Sequence, residues 1–461
     1  MKQSILSVLL LVLCLSSTTA QNPVVQALDS LLLDSLFVTG DVSLAVYDLT
    51  ADSMLYSHRA QKSVRPASVM KVLTSVVALD ELGSGYNMRT ALYSCNSASS
   101  SSVPYRNCYV KGGMDPLFNE EDMVSMASSI PKGTVIDTLF ADCSMTDSLY
   151  WGPGWSWDDN PYGYQPYISS LLLCGGAVEV VVKPTSKGCA PEYTCTPESS
   201  FYTVVNEAEC GNPELEKLTV LRDWLTDSNV IRIRGNCIKE KKETLNMYKS
   251  ADFFMAVLLE KLEATGVSVK NVASGRVPAG AELVHEVLRP IESVVDEALM
   301  ESDNICAESL LYNLCAKNGM FPVSMACGSE RMAHFVKKRL HRSSGYNIAD
   351  GSGLSLYNYI TAGMFIDLLR YAYGKRSIYD VLYRHLPLSG VSGTMKNRTK
   401  GSAAYKKIRA KTGTVKGVCS LAGYARASNG NNYAFVILNT GIQSARLIRE
   451  WQDKVCTVLC E

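Results

Sequence analysis

Ser68 and Lys71, three positions apart in Ser68-Val69-Met70-Lys71, are the first residues of this chain whose types and spacing could do chemistry. At 3.6 residues per turn the two side chains share one helix face, so the amine lies beside the hydroxyl. A lysine so placed takes the hydroxyl proton when burial or nearby cations lower its own hold on protons. The pair alone is weak, because a capping serine followed by a solvated lysine has the same spelling. Two further strings follow in order, Ser302-Asp303-Asn304 and Lys411-Thr412-Gly413-Thr414. Ser302 and Asn304 offer a hydroxyl that can relay a proton and an amide that can hold a peptide carbonyl. Lys411 adds positive charge, Thr412 and Thr414 add hydroxyls for a carboxylate, and Gly413 lets backbone and ligand approach closely.

These residues need elements to hold them. The run from Ser68 to Leu82 reads as a helix: Val69, Val72, Leu73, Val76, Val77 and Leu79 make an apolar face, with Pro66 just upstream. Ser302-Asp303-Asn304 falls inside a helical pattern over 289–317. Lys411 to Thr414 follow Ile408-Arg409-Ala410 and precede Val415, which reads as an edge strand able to pair with an extended peptide. Around them lie a helical stretch from Val24 to Phe37, strands at 42–48 and 54–56, and a helix at 360–374. Strands at 421–426 and 432–438 and a closing helix at 443–458 end the chain. Between about 89 and 284 the texture changes. There lie a Ser-rich run at 94–102, the turn Gly112-Gly113-Met114-Asp115-Pro116, the aromatic stretch from Trp151 to Tyr167, a strand at 178–182 and a helix at 251–265. The expected organisation is therefore one discontinuous domain, 21–88 with 285–461, interrupted by a β-rich, cysteine-rich insert at 89–284.

The chain has 461 residues with 45 basic and 45 acidic side chains, so a chain-wide basic face, and nucleic acid as a partner, is not expected. Its first residues, Met1-Lys2-Gln3, an apolar run to Leu15 and Ser16-Ser17-Thr18-Thr19-Ala20, read as a secretory signal over 1–20, cut after Ala20, for a periplasmic or secreted protein. No second stretch approaches 18 uncharged apolar residues, so no transmembrane span is expected. Fourteen cysteines follow the signal, eight between 95 and 237 and six between 306 and 460. Even counts in an exported chain favour disulfides closed within each group, with connectivity open. No Cys-x-x-Cys occurs and there are five histidines, so neither metal nor cofactor is expected.

Ordered Ser-x-x-Lys, Ser-Asp-Asn and Lys-Thr-Gly resemble the signature of active-site-serine penicillin-binding proteins and β-lactamases. The 231 residues from Lys71 to Ser302 exceed what a class A β-lactamase requires. They are similar to class C low-molecular-mass penicillin-binding proteins, the D-alanyl-D-alanine carboxypeptidase/endopeptidase family, in which a module is inserted there. Further strings carry the likeness along nearly the whole chain: Arg65-Pro66-Ala67-Ser68, Gly113-Met114-Asp115-Pro116, Trp155-Ser156-Trp157-Asp158-Asp159, Asp350-Gly351-Ser352-Gly353-Leu354-Ser355, Gly393-Thr394, Arg398 and Leu421-Ala422-Gly423-Tyr424. Two features depart from the family: the high cysteine content, and Leu171-Leu172-Leu173-Cys174-Gly175-Gly176 where an Asn- or Asp-bearing turn would stand.

The resemblance implies an α/β (α+β sandwich) penicillin-binding-protein/β-lactamase-like transpeptidase domain with a large β-rich inserted module. It implies a serine-type hydrolase acting on peptidoglycan stem peptides ending in D-Ala-D-Ala, or on their cross-links, and inhibited by β-lactam antibiotics. Ser68 would be the nucleophile and Lys71 the base, with Ser302 relaying a proton, Asn304 orienting the substrate amide and Lys411 supplying positive field. Thr412 and Thr414 would bind the substrate carboxylate beside Gly413, and the backbone N–H groups of Ser68 and Thr414 would form the oxyanion hole. Asp159, flanked by Trp155 and Trp157, would face the amine of the peptide's diamino acid. A β-lactamase shares Ser68, Lys71 and Lys411, and a non-catalytic peptidoglycan binder would share the fold. Monomer and homodimer stay open.

Overall fold

Near-continuous apolar runs over 418–426 and 432–440 can be strands only where both faces are covered, and that is how the chain uses them. The computed structural model describes residues 22–95, 105–319 and 321–461; the expected export signal, 1–20, and most of the Ser-rich run lie outside the described residues. Five antiparallel strands form the central sheet, in the order Ile408–Val415, Val418–Arg426, Asn432–Thr440, Asp41–Asp48, Ser53–His58. One face carries Leu44, Val46, Leu421, Phe435 and Ile437, packed with the terminal helices Pro23–Leu31 and Ala445–Cys460. The other carries Ala45, Tyr47, Ala422, Val436 and Leu438 against a helical layer. The first and last described helices thus close one sandwich.

The centre of that layer is Met70–Glu81, preceded by the 3-10 turn Ala67–Val69. Every residue from Met70 to Leu79 is buried, so this helix is enclosed all round rather than amphipathic. Asn304–Ala316, Met325–Arg339, Ile291–Met300, Ala362–Tyr373 and Arg376–His385 enclose it. The helical pattern expected over 289–317 is two helices, Ile291–Met300 and Asn304–Ala316. Ser302 takes a left-handed backbone (φ 67°) and Asp303 caps the second helix by accepting from Cys306 N at 2.7 Å. Helices Glu120–Ser128, Met325–Arg339 and Arg376–His385 go beyond the expected elements; polar residues dilute the apolar periodicity of the first two, while the third is short but amphipathic, burying Ile378, Val381 and Leu382.

The chain leaves this sandwich along strand Asn87–Cys95 and returns along Glu282–Pro290, which pairs with it antiparallel, Asn87 opposite Pro290. Both belong to a five-stranded sheet ordered Ser268–Ser274, Val135–Asp142, Asn107–Lys111, Asn87–Cys95, Glu282–Pro290. Two three-stranded sheets follow: Thr203–Cys210, Val230–Cys237, Thr219–Arg222, and Lys241–Asn246, Ala177–Lys183, Glu192–Thr196. Their shared apolar core, with Phe118, Phe253 and Phe254, is distinct from the core around Met70–Glu81.

The cysteines correct an expectation. Cys315 and Cys327 form a disulfide that ties two helices, while the other twelve described cysteines are thiols. Seven of them, including Cys108, Cys210 and Cys306, are buried, where cysteine packs as a small apolar side chain. Burial raises the Cys108 and Cys174 thiols to about 12.

Candidate active site

Ser68 sits half-exposed in the 3-10 turn, after Ala67, whose left-handed backbone (φ 49°) aims the turn. Two glycines let other segments reach it. A Cβ on Gly353 would lie 2.0 Å from the Ala67 carbonyl oxygen, and one on Gly413 would lie 2.9 Å from Pro66 O and Ser68 N. The edge strand carrying Lys411 to Thr414 therefore runs hard against the turn that carries Ser68.

Lys71, without exposed surface, donates from Nζ to Ser68 Oγ at 3.0 Å, to Asn304 Oδ1 at 2.6 Å and to the Ser352 carbonyl at 2.8 Å. Burial lowers its pKa from the usual lysine value to about 8, opposed by the carboxylates of Asp303, Asp350 and Glu308. Asn304 turns its other end away, donating from Nδ2 to the Tyr164 carbonyl at 2.6 Å. Lys411 is equally buried and donates to Ser302 Oγ at 2.8 Å and to its neighbour's carbonyl, Thr412 O, at 2.9 Å. Burial first, then the charge of Lys71, holds Lys411 well below the ordinary lysine range. The three sequence-distant strings thus meet at two serine–lysine pairs, joined by Asn304 beside Ser302.

Thr412 Oγ1 donates to Thr394 Oγ1 at 2.8 Å, and Thr414 Oγ1 accepts from Arg449 Nη2 at 3.2 Å. Asp159 lies half-buried, accepting from the Tyr164 hydroxyl at 3.0 Å; burial raises its carboxyl. The flanking tryptophans part company. Trp155 donates to Asp350 Oδ2 at 3.0 Å, whereas Trp157 is exposed and leans on Trp224, ring centres 5.4 Å apart. A cleft of about 410 Å³ opens beside Ser302 and Asn304, bounded by Tyr164, Gly175 and Thr244. Cys174, Gly175 and Gly176 all take positive φ, so the departing string makes a tight turn in this wall.

Sequence reasoning gave no role to three residues here. Glu308, one turn beyond Asn304 and fully buried, accepts from Ser352 N at 2.9 Å and Gly351 N at 3.0 Å, and so aims the Ser352 carbonyl at Lys71. Burial and the neighbouring Asp350 raise Glu308 to about 8. Asp350 accepts from Gly353 N at 2.8 Å, Ser355 N at 2.6 Å and Asn358 Nδ2 at 2.6 Å, folding the Asp-Gly-Ser-Gly string into a loop. Arg449 comes from the terminal helix. The spacing Asn304-x-x-x-Glu308 was the available signal for Glu308, since i and i+4 share a helix face. Nothing local marks Arg449.

A buried lysine on a serine, a second lysine–serine pair and an edge strand against the Ser68 turn make an arrangement able to carry serine acyl transfer. Comparison with known proteins gives the family. The family profile of D-Ala-D-Ala carboxypeptidase 3 (S13) matches residues 24–459. The chain is 28% identical over 440 residues to a D-alanyl-D-alanine carboxypeptidase of Actinomadura sp. (strain R39), covering 90% of this chain and 80% of that one. It is 22% identical over 418 residues to the D-alanyl-D-alanine carboxypeptidase DacB of Haemophilus influenzae, covering 88% and 87%. The crystal structure of penicillin-binding protein 4 (dacB) from Haemophilus influenzae superposes with a TM-score of 0.79 at 21% identity, covering 93% of this chain and 97% of that one. The chain belongs to the D-Ala-D-Ala carboxypeptidase 3 (S13) family. It is a serine-type D-Ala-D-Ala carboxypeptidase.

Proposed function

We propose that Ser68 is the nucleophile of this carboxypeptidase and Lys71 its base. The observation that carries the assignment is the 3.0 Å contact between Lys71 Nζ and Ser68 Oγ, made by a lysine that burial has weakened as an acceptor of charge. In its neutral form Lys71 takes the Ser68 proton as Oγ attacks the carbonyl of the penultimate D-Ala. The oxyanion falls to the backbone N–H groups of Ser68 and Thr414. Ser302, backed by Lys411, passes a proton to the leaving amine, and the C–N bond breaks. Water then adds to the Ser68 ester, releasing the shortened peptide and returning the proton to Oγ. Asn304, bridged to Lys71, orients the substrate amide, while Thr412 and Thr414 beside Gly413 receive the carboxylate.

Stem peptides of peptidoglycan are the proposed substrates and β-lactams the proposed inhibitors. One solved relative, penicillin-binding protein 4 of Haemophilus influenzae, was determined in complex with a β-lactam. Endopeptidase action on cross-links is proposed for the same cleft. Asp159 is proposed to meet the diamino acid's amine: Asp159→Ala should lower turnover of peptides bearing that amine more than of peptides lacking it. We assign residues 89–284 to an inserted accessory module, and propose export directed by residues 1–20; no helix of the described residues is long and apolar enough to cross a membrane.

Intact mass after incubation with a penicillin tests the reading. A persistent one-drug adduct in the wild type, absent from Ser68→Ala, is the expected result. Rapid loss of the adduct would instead favour a β-lactamase. A folded wild type with no adduct would favour a binding module.

A further inference from the structure

Thr414 is exposed on the edge strand, and its hydroxyl already has a cationic partner, the Arg449 guanidinium at 3.2 Å. Arg449 lies in the second turn of Ala445–Cys460, a helix packed on the face of the sheet opposite Ser68's helix, so its side chain reaches the site around the strand's edge. Its backbone is fixed there: the Arg449 carbonyl accepts from Arg398 Nη2 at 3.0 Å. The nearest acids on the helix are occupied. Glu450 pairs with Arg446 at 2.6 Å and Asp453 with Arg398 at 2.7 Å. Among the described residues, no carboxylate lies within ion-pair distance of the Arg449 guanidinium.

Charge supply at the site gives that guanidinium a task. Threonine hydroxyls carry no charge, and Lys411 points inward to Ser302 from a fully buried position where its ammonium form is disfavoured. A guanidinium keeps its charge at every working pH and presents several donors in one plane. The carboxylate in question sits on the carbon next to the leaving nitrogen. Terminal D-Ala carries it, and so does the D-centre of a cross-link.

We infer that Arg449 is a specificity-determining residue that, with Thr414 and Thr412, reads the carboxylate beside the scissile amide and selects substrates by that charge. The inference rests on the site proposed above and adds to it a residue outside all three motifs. It predicts discrimination against substrates in which that carboxylate is masked, whichever product the enzyme makes.

The test compares Arg449→Gln with the wild type on one peptide ending in D-Ala-D-Ala, as the free acid and as the C-terminal amide. The expected result is a loss of about 10- to 100-fold in kcat/KM on the acid, mostly in KM, and less than about twofold on the amide. Arg449→Lys, which keeps the charge but not the fork, should fall between. Equal losses on acid and amide, or no loss on the acid, would overturn the inference. Ser68→Ala separates the two readings. If it still forms a penicillin adduct, the site itself is misassigned. If it does not, and Arg449→Gln leaves acid-over-amide selectivity unchanged, only the role of Arg449 fails.

Discussion

Lys71 and Lys411 are both buried, each donates to a serine hydroxyl, and the charge of the first weakens the second's hold on its proton. Burial disfavours the ammonium form of both, and the charge of Lys71 disfavours that of Lys411 further, so Lys71 becomes available as a neutral amine as pH rises towards about 8. That is the electrostatic state a serine–lysine mechanism needs.

The first prediction concerns pH. Only neutral Lys71 can accept the Ser68 proton, and its pKa lies at about 8. The neutral fraction grows tenfold per pH unit below that value and levels above it. The second-order rate of acylation by a penicillin should therefore rise from pH 6 and flatten above about 8, which stopped-flow kinetics would show. A limb flattening below pH 7 would transfer the base role elsewhere.

Gly413→Ala tests the strand's approach to Ser68. The new Cβ would meet Pro66 O, Ser68 N and Val69 N at 2.9–3.0 Å, all backbone atoms of the turn that carries Ser68. A shift on the order of 1 Å between the strand and Ser68 should cost about 100-fold in acylation. Thermal unfolding should fall by far less, because the edge strand keeps its ladder with Val418–Arg426. Acylation at the wild-type rate would contradict the close approach.

Glu308→Gln probes the support beneath Lys71. An amide oxygen can keep one of the two N–H bonds from Gly351 and Ser352, but the amide nitrogen faces the other as a second donor. Leaving one buried N–H without its acceptor should lower stability by about 2 kcal/mol, measured by denaturant titration. Acylation should slow as well, since the Ser352 carbonyl that holds Lys71 loosens.

The disulfide gives the last prediction. Cys315 and Cys327 close a loop of 12 residues between two helices beside Met70–Glu81. Replacing both by serine should cost about 3 kcal/mol of unfolding free energy on the chain-entropy account, with acylation retained. The same loss should follow reduction of the wild type.

Much of the site was legible in the sequence because its chemistry is carried by short strings. Ser68 to Lys71 and Lys411 to Thr414 fall on the helix start and edge strand read for them, while Ser302 to Asn304 fall at a break within the helical pattern expected there. The strand at 42–48 and the helix at 360–374 were legible too, from apolar periodicity. The break at Ser302 escaped because a left-handed serine has no local spelling. The cysteine pairing escaped because Cys315 and Cys327 meet through the packing of two helices, one of them unmarked by strong apolar patterning.

The sequence by itself determined the identities and order of the groups proposed to react, since hydroxyl, amine and amide chemistry belongs to the side chains themselves. Only the tertiary structure decided how those groups behave. The proton affinity of Lys71 follows from complete burial and from carboxylates on Asn304–Ala316 and the 350–353 loop. Arg449 reaches Thr414 only because the terminal helix folds back along the sheet. Desolvation and charge proximity depend on which segments meet in space, and chain segments hundreds of residues apart carry no local record of that meeting.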